Sequence, residues 1–229
     1  GDFRLDLGLE LPMTESPQPV VQARVQTDNG RFALSEAGLS WQKVRADLTY
    51  HTENGFSGGP VRAEFFGRPV SVYLATKDNQ KALQIRQSGR LPMPEFLQHM
   101  GLPKGTSLGL AGTLDYQTEL IVDGSETPTI AVTSDLVGLN VDWPSPLSKT
   151  ASEATELTAT IDPFAQEGIN VTGRWQDRFG FELQFKDSGF DLVFPWLRLG
   201  SHELDQTTIN ALNMGDHWIV HTDSERASG

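Results

Sequence analysis

Histidines are the scarcest side chains able to bind a metal or shuttle a proton. Of the five, only His217 and His221 share an i to i+4 spacing. The residues between them, Trp218, Ile219 and Val220, favour extended backbone. On a strand that spacing separates the two Cα atoms by roughly 13 Å, too far for one ion. Two unrelated surface histidines are therefore expected, and no metal site. With no cysteine, the chain has no thiolate ligand, disulfide or cysteine nucleophile. The glycine-rich run from Gly101 to Gly112 is not a phosphate loop, because Lys104-Gly105-Thr106 lacks the Gly-Lys-Ser/Thr ending. Nucleophile elbows, zincin helices and dinucleotide fingerprints do not occur. Thirty acidic residues offer glycosidase-type carboxylate pairs, with Asp135, Asp142 and Asp162 nearest to loops that could form a cleft. Turn capping is the expected role of each. Exposed tryptophans among Trp41, Trp143, Trp175, Trp196 and Trp218 could stack on sugars. Trp175 and Trp218 sit in strand patterns and are expected in the core, whereas Trp143, between Asp142 and Pro144, is expected to be partly exposed. Neither catalysis nor a cofactor is expected.

The elements that must position these residues are strands. Phe3, Leu5, Leu7, Leu9 and Leu11 alternate with Arg4, Asp6, Gly8 and Glu10. The same period of two returns at Val21 to Val25, Val44 to Tyr50, Val61 to Phe65, Leu83 to Ile85, Leu157 to Ile161 and Phe179 to Phe185. Each such strand has one apolar and one polar face. Turn chemistry falls between them at Asp28-Asn29-Gly30, Glu53-Asn54-Gly55, Gly58-Gly59-Pro60, Asp123-Gly124-Ser125 and Asp187-Ser188-Gly189, which predicts an antiparallel meander. A short helix is expected from Pro94 to Met100, capped by Gly101. Pro12 to Pro19 reads as an edge loop or linker, and residues 138–149 as a structured loop. Pro144 and Pro146 lack backbone donors, so this loop should cross the end or edge of the sheet.

The fold class is thus all-β: an antiparallel curved sheet, either an open groove or sandwich-like, with one or two short helices. Residues 1–229 read as a single module, an interior piece of a longer protein. No run approaches the ~20 apolar residues of a membrane-spanning helix. Eighteen basic against thirty acidic residues give a net charge of −12, which repels nucleic acid and anionic bilayers. The apolar faces either close on one another as a core or line an open sheet that holds acyl chains; composition favours the closed core.

Two segments resemble a known family. The first carries Gly38-Leu39-Ser40-Trp41, the Asn54-Gly55 turn and Gly67-x-Pro69-Val70; the second carries Ser134, Asp135, Leu136 and Gly138, followed by Pro144, Pro146, Leu147 and Lys149. Together they resemble the YhdP-like branch of the AsmA-like envelope proteins of Gram-negative bacteria. Trp143 stands where that branch usually has leucine, and Ser148 where it has glycine. The resemblance implies a non-enzymatic periplasmic module, tethered to the inner membrane through a helix outside this segment. Its β-groove is expected to shield phospholipid in passage between inner and outer membranes, a role in outer-membrane integrity. The implied partners are acyl chains and neighbouring modules of the same longer chain. Lipid-facing candidates are Leu5, Leu7, Leu48, Phe65, Phe181, Leu183 and Phe185. Lys149 is expected either as a solvated charge or as a phosphate-facing residue at a groove mouth, and under both readings Lys149→Glu should leave folding intact. The alternatives are a structural or protein-interaction domain with a closed core, and a carbohydrate-active β-protein.

Overall fold

A computed structural model describes residues 2–11, 13, 19–34, 39–77, 82–99, 104–105, 107–124, 127–145, 147–166, 168–186, 189–199, 202–213 and 218–224. The chain forms two compact units, Gly1–Arg90 with Glu119–Pro128, and Leu91–Thr118 with Thr129–Gly229. Both are antiparallel sheet, as the period-two patterns predict.

The first unit contains β1 (Phe3–Glu10), β2 (Val20–Leu34), β3 (Leu39–His51), β4 (Gly55–Gly58), β5 (Val61–Phe65), β6 (Arg68–Lys77) and β7 (Ala82–Pro92) up to Arg90, together with the last residues of the strand Leu110–Val122 from Glu119 on. Its strands pair in the order β1-β2-β3-β5-β6-β7, with β4 also on β3. The second unit contains α1 (Met93–His99), β8 (Leu110–Val122) up to Thr118, β9 (Ile130–Ser134), β10 (Leu139–Val141), β11 (Leu157–Asp162), β12 (Ile169–Trp175), β13 (Phe179–Lys186), β14 (Gly189–Leu199), β15 (His202–Asn213) and β16 (Trp218–Ser224). Here the order is β8-β9-β11-β12-β13-β14-β15-β16, with β10 on β8. Among the described residues β1 and β16 each pair with one neighbour. No described helix is long and apolar enough to cross a membrane.

Asn54-Gly55 makes the tight β3–β4 connection expected of it. Gly58-Gly59-Pro60 does not make a hairpin: β4 and β5 both pair antiparallel with β3, so the chain runs on in one direction and these residues only interrupt the strand. Lys186 pairs with Gly189, as a two-residue hairpin requires, although residues 187–188 lie outside the described residues. Residues 12 and 14–18 of the expected edge loop, residues 100–103 after the helix and His217 lie outside them as well. α1 begins one residue earlier than expected, at Met93, with Glu95 in its first turn and His99 in its last, both suited to the helix dipole.

A second turn expectation is also wrong. Asp28-Asn29-Gly30 is not a hairpin: β2 runs through it to Leu34, and the register slips instead. Thr27 pairs with Ala46 and Gly30 with Val44, so Asp28 and Asn29 bulge opposite Arg45. A second bulge follows on β3, where Gln42 and Lys43 lie between the pairs Gly30–Val44 and Phe32–Trp41, with Lys43 at φ 50°. The local sequence offers a turn, but the long β2–β3 ladder continues past it.

Among the described residues few apolar side chains are fully covered. The buried set is Ala63, Phe65, Val70 and Ala82 in the first unit, and Met93, Leu97, Leu114, Tyr116, Leu136, Leu139, Val141, Trp175 and Phe179 in the second. Most other apolar strand residues are half-buried, and those of β1 are bare.

Candidate functional site

Residues directly opposite in an antiparallel pair share a face, so the registers trace each surface strand by strand. In the first unit Leu5 pairs with Val25 and Val25 with Leu48, while Leu7 pairs with Ala23, Ala23 with Tyr50 and Tyr50 with Phe56. The two bulges each add one residue, which restores parity: Val44, Trp41 and Phe32 return to the face of Leu48 and Val25. Trp41 then stacks on Phe65 at 4.9 Å and donates its indole N–H to Gln87 Oε1 at 2.8 Å. Val61, Ala63, Val70 and Val72 carry the apolar face on through β5 and β6. Its outermost members, Leu5, Leu7 and Leu9, are 65%, 69% and 59% exposed. The opposite face is polar. There Arg24 grips Asp47 through two hydrogen bonds of 2.9 and 2.7 Å, and Gln26 adds a third at 3.1 Å. This guanidinium clamp lowers the Asp47 pKa to about 2.

The second unit builds a similar surface. Ile130, Ile161, Val171, Leu183 and Leu192 form one row across β9, β11, β12, β13 and β14. Val132, Ala159, Gly173 and Phe181 form the next, and Ile169, Phe185 and Phe190 another. The Phe181 ring lies over Gly173, where a Cβ would come within 2.4 Å of its Cζ. These side chains are half-buried by one another. At the row of Leu157, Trp175 and Phe179 the face becomes covered: Trp143 comes down on it, 6.2 Å from both Trp175 and Phe179.

Trp143 belongs to the loop that carries the second sequence motif. Ser134 Oγ accepts from Leu136 N at 2.9 Å and donates to Asp115 O at 2.6 Å, and Asp135 Oδ1 accepts from Val137 N at 3.0 Å. These two side chains wind the backbone through Leu136, at φ 54°, into Gly138. Only glycine fits there: φ is +93° and a Cβ would stand 2.1 Å from Thr113 O. The facing Gly112 is under the same restriction, with Gly138 O 2.2 Å from its virtual Cβ. This close approach lets Thr113 N–H reach Gly138 O at 3.2 Å and seats β10 on β8. Lys149 returns to pair with Val141 and buries its ammonium beneath the loop, 2% exposed. Its Nζ donates to the carbonyls of Leu136, Leu139 and Thr150 at 2.7, 2.9 and 2.9 Å. Burial pushes the Lys149 pKa below the usual lysine value; Arg178 adds to that shift, and Glu153 and Asp135 oppose it.

The family model described as YhdP protein matches residues 1–222. The chain belongs to the YhdP family. No curated protein and no solved structure matches it. The YhdP family is a non-enzymatic, envelope-associated lipid-transport family.

Within this YhdP-family chain the structure gathers Ser134, Asp135, Leu136, Gly138, Leu147 and Lys149 into one loop, with Pro144 at its tip and Pro146 outside the described residues. Both expectations for Lys149 are corrected: it is neither solvated nor aimed at a phosphate, because its three proton positions are occupied by backbone carbonyls. With the ammonium bound to three carbonyls, Lys149→Glu is now expected to destabilise the fold rather than spare it. The apolar candidates divide. Leu5 and Leu7 are exposed, Leu48, Phe181, Leu183 and Phe185 are half-buried, and Phe65, 9% exposed, is covered against Trp41 and Phe66. Trp175 is buried and Trp143 half-buried, as expected. Sequence reasoning missed Arg178, which holds the loop through Ser148 O at 3.1 Å and Glu153 Oε1 at 2.8 Å while packing over the Trp175 ring. It also missed Thr155, the acceptor for the Trp175 indole at 2.9 Å. Arg178 acts on residues 30 and 25 positions away, so no local pattern signals it.

Proposed function

We propose that this chain is a non-enzymatic segment of a periplasmic lipid conduit, part of a longer protein tethered to the inner membrane. Its apolar sheet faces shield phospholipid acyl chains in passage between inner and outer membranes. The reading is carried by one observation: in each unit the register stacks apolar side chains strand after strand on a single face and leaves most of them half-buried or exposed. A soluble domain with a finished core would cover such rows. Each methylene withdrawn from water contributes about 0.8 kcal/mol, so a chain of about fourteen methylenes gains on the order of 11 kcal/mol from continuous cover. Because neighbouring rows offer similar cover, a chain can move between them without crossing water, and no tight headgroup site is required. Neighbouring modules of the same longer chain are proposed to continue the sheet at exposed edges such as β1, all eight residues of which are exposed.

Photocrosslinking inside cells tests the proposal. Leu183 lies in the apolar row and Gln184 on the opposite face. A photoreactive side chain at 183 is expected to capture phospholipid, and one at 184 little. Protein self-crosslinks at 183 without lipid at either position would establish the closed-core alternative instead.

A further inference from the structure

The polar face of the second unit carries a tryptophan that belongs to no core. On β14 Val193 pairs with Glu182 and Leu197 with Phe179, which leaves three residues of β14 opposite two of β13. Pro195, with no donor to give the ladder, sits in this bulge. The extra residue turns Trp196 away from the side of Phe194 and Leu197 and onto the face of Arg174 and Gly180, which pair with each other. There the indole packs against the β13 backbone: a Cβ on Gly180 would come within 2.7 Å of Trp196 Nε1. Arg174, Gln176, Asp177 and Arg198 surround it, lining a cleft of about 510 Å³. Arg198 is fixed by its own backbone N–H, which donates to Arg178 O at 2.8 Å.

Bulges that re-aim a side chain recur beside binding sites, and this set of groups has a definite chemistry. An indole face offers a flat apolar platform, a guanidinium takes a carboxylate or phosphate in bidentate fashion, and Gln176 and Asp177 can donate to and accept from hydroxyls. Asp177 disfavours a ligand that is anionic all round. We propose that this cleft binds an acidic saccharide, its ring stacked on Trp196, its acid group on Arg174 and its hydroxyls on Gln176 and Asp177. The site lies on the face opposite the acyl-facing rows, so it is independent of lipid passage and stands or falls separately from it.

The test is a titration of the 229-residue chain, labelled with ¹⁵N and followed through its indole N–H signals, the Trp196 signal being assigned with Trp196→Phe. A glucuronate-terminated disaccharide is expected to shift that signal saturably. The matching neutral disaccharide, inorganic phosphate and a tetraglutamate peptide should each bind at least about tenfold more weakly. Arg174→Gln, at an exposed position, should weaken glucuronide binding by about tenfold with the remaining amide spectrum unchanged. Gly180→Ala should do so as well, by lifting the indole from its seat. No saturable shift, equal binding of the neutral sugar, phosphate or peptide, or unchanged binding in Arg174→Gln would each overturn the assignment.

Discussion

Lys149→Met keeps the length and apolar stem of the side chain and deletes only its charge. In the native loop that ammonium donates to three carbonyls at 2.7 to 2.9 Å from a residue 2% exposed. Hydrogen bonds to a charged group contribute about 1.5–3 kcal/mol each, so three amount to about 4.5 kcal/mol at the low end. Two effects offset part of this. Leu136 O keeps the Leu139 N–H at 3.2 Å, and the fold no longer carries the desolvation of a buried cation. A net loss of about 3 kcal/mol is therefore expected for Lys149→Met, and a larger one for Lys149→Glu, whose carboxylate would face carbonyl oxygens. Urea unfolding followed by circular dichroism measures it: with slopes of about 1–3 kcal/mol/M, the midpoint should fall by about 1–3 M. The pH dependence supplies a second reading. Because burial lowers the folded-state pKa of Lys149, the unfolded chain binds more protons between that value and the ordinary one near 10.4. The contribution of this group to stability is thus lowest when both states are protonated, and it rises with pH through that window. Lys149→Met should lose this rise. A Lys149→Glu chain that unfolds at the native midpoint would refute the buried, carbonyl-bound lysine altogether.

Three further outcomes are expected. The Asp47 carboxyl should titrate near pH 2 by NMR and move back toward the ordinary 3.8 in Arg24→Ala; its contribution to stability is present above the ordinary value and is lost as pH falls through about 2. Gly138→Ala, which places a Cβ 2.1 Å from Thr113 O at φ +93°, should cost about 2–4 kcal/mol and accelerate hydrogen exchange at the Thr113 amide; native protection there would contradict the close approach of loop and strand. Leu183→Asp should leave a folded chain with at most about 2 kcal/mol lost in thermal unfolding, because the carboxylate can hydrate on an open face, whereas an unpaired charge in a sealed core would cost several kcal/mol and unfold it.

The alternation of apolar and polar residues was enough to establish all-β structure and the facing of side chains within each uninterrupted strand, since strand periodicity is a property of the local backbone. The same holds for Asn54-Gly55, whose turn needs only its own dihedral preferences. The motif around Ser134 and Gly138 was visible too, although its purpose was not. Tertiary structure decided what depends on distant partners. Asp28-Asn29-Gly30 has turn chemistry, yet the β2–β3 ladder extends on both sides of it and absorbs it as a bulge. Those extra residues, and the one at Pro195, reset the parity of everything beyond them, sending Trp41 to the apolar face and Trp196 to the polar one. A strand pattern cannot announce a parity change that only its neighbour's register imposes. Lys149 is the extreme case: by residue type lysine belongs in water, and it is buried here because the carbonyls of Leu136, Leu139 and Thr150 converge only once the loop has closed on β8. Leu136 O and Thr150 O each also accept a backbone N–H, from Leu139 and Glu153, but a carbonyl has a second lone pair, and three such oxygens converging present a field that an ammonium satisfies better than any apolar side chain of its size; that field exists only in the folded chain.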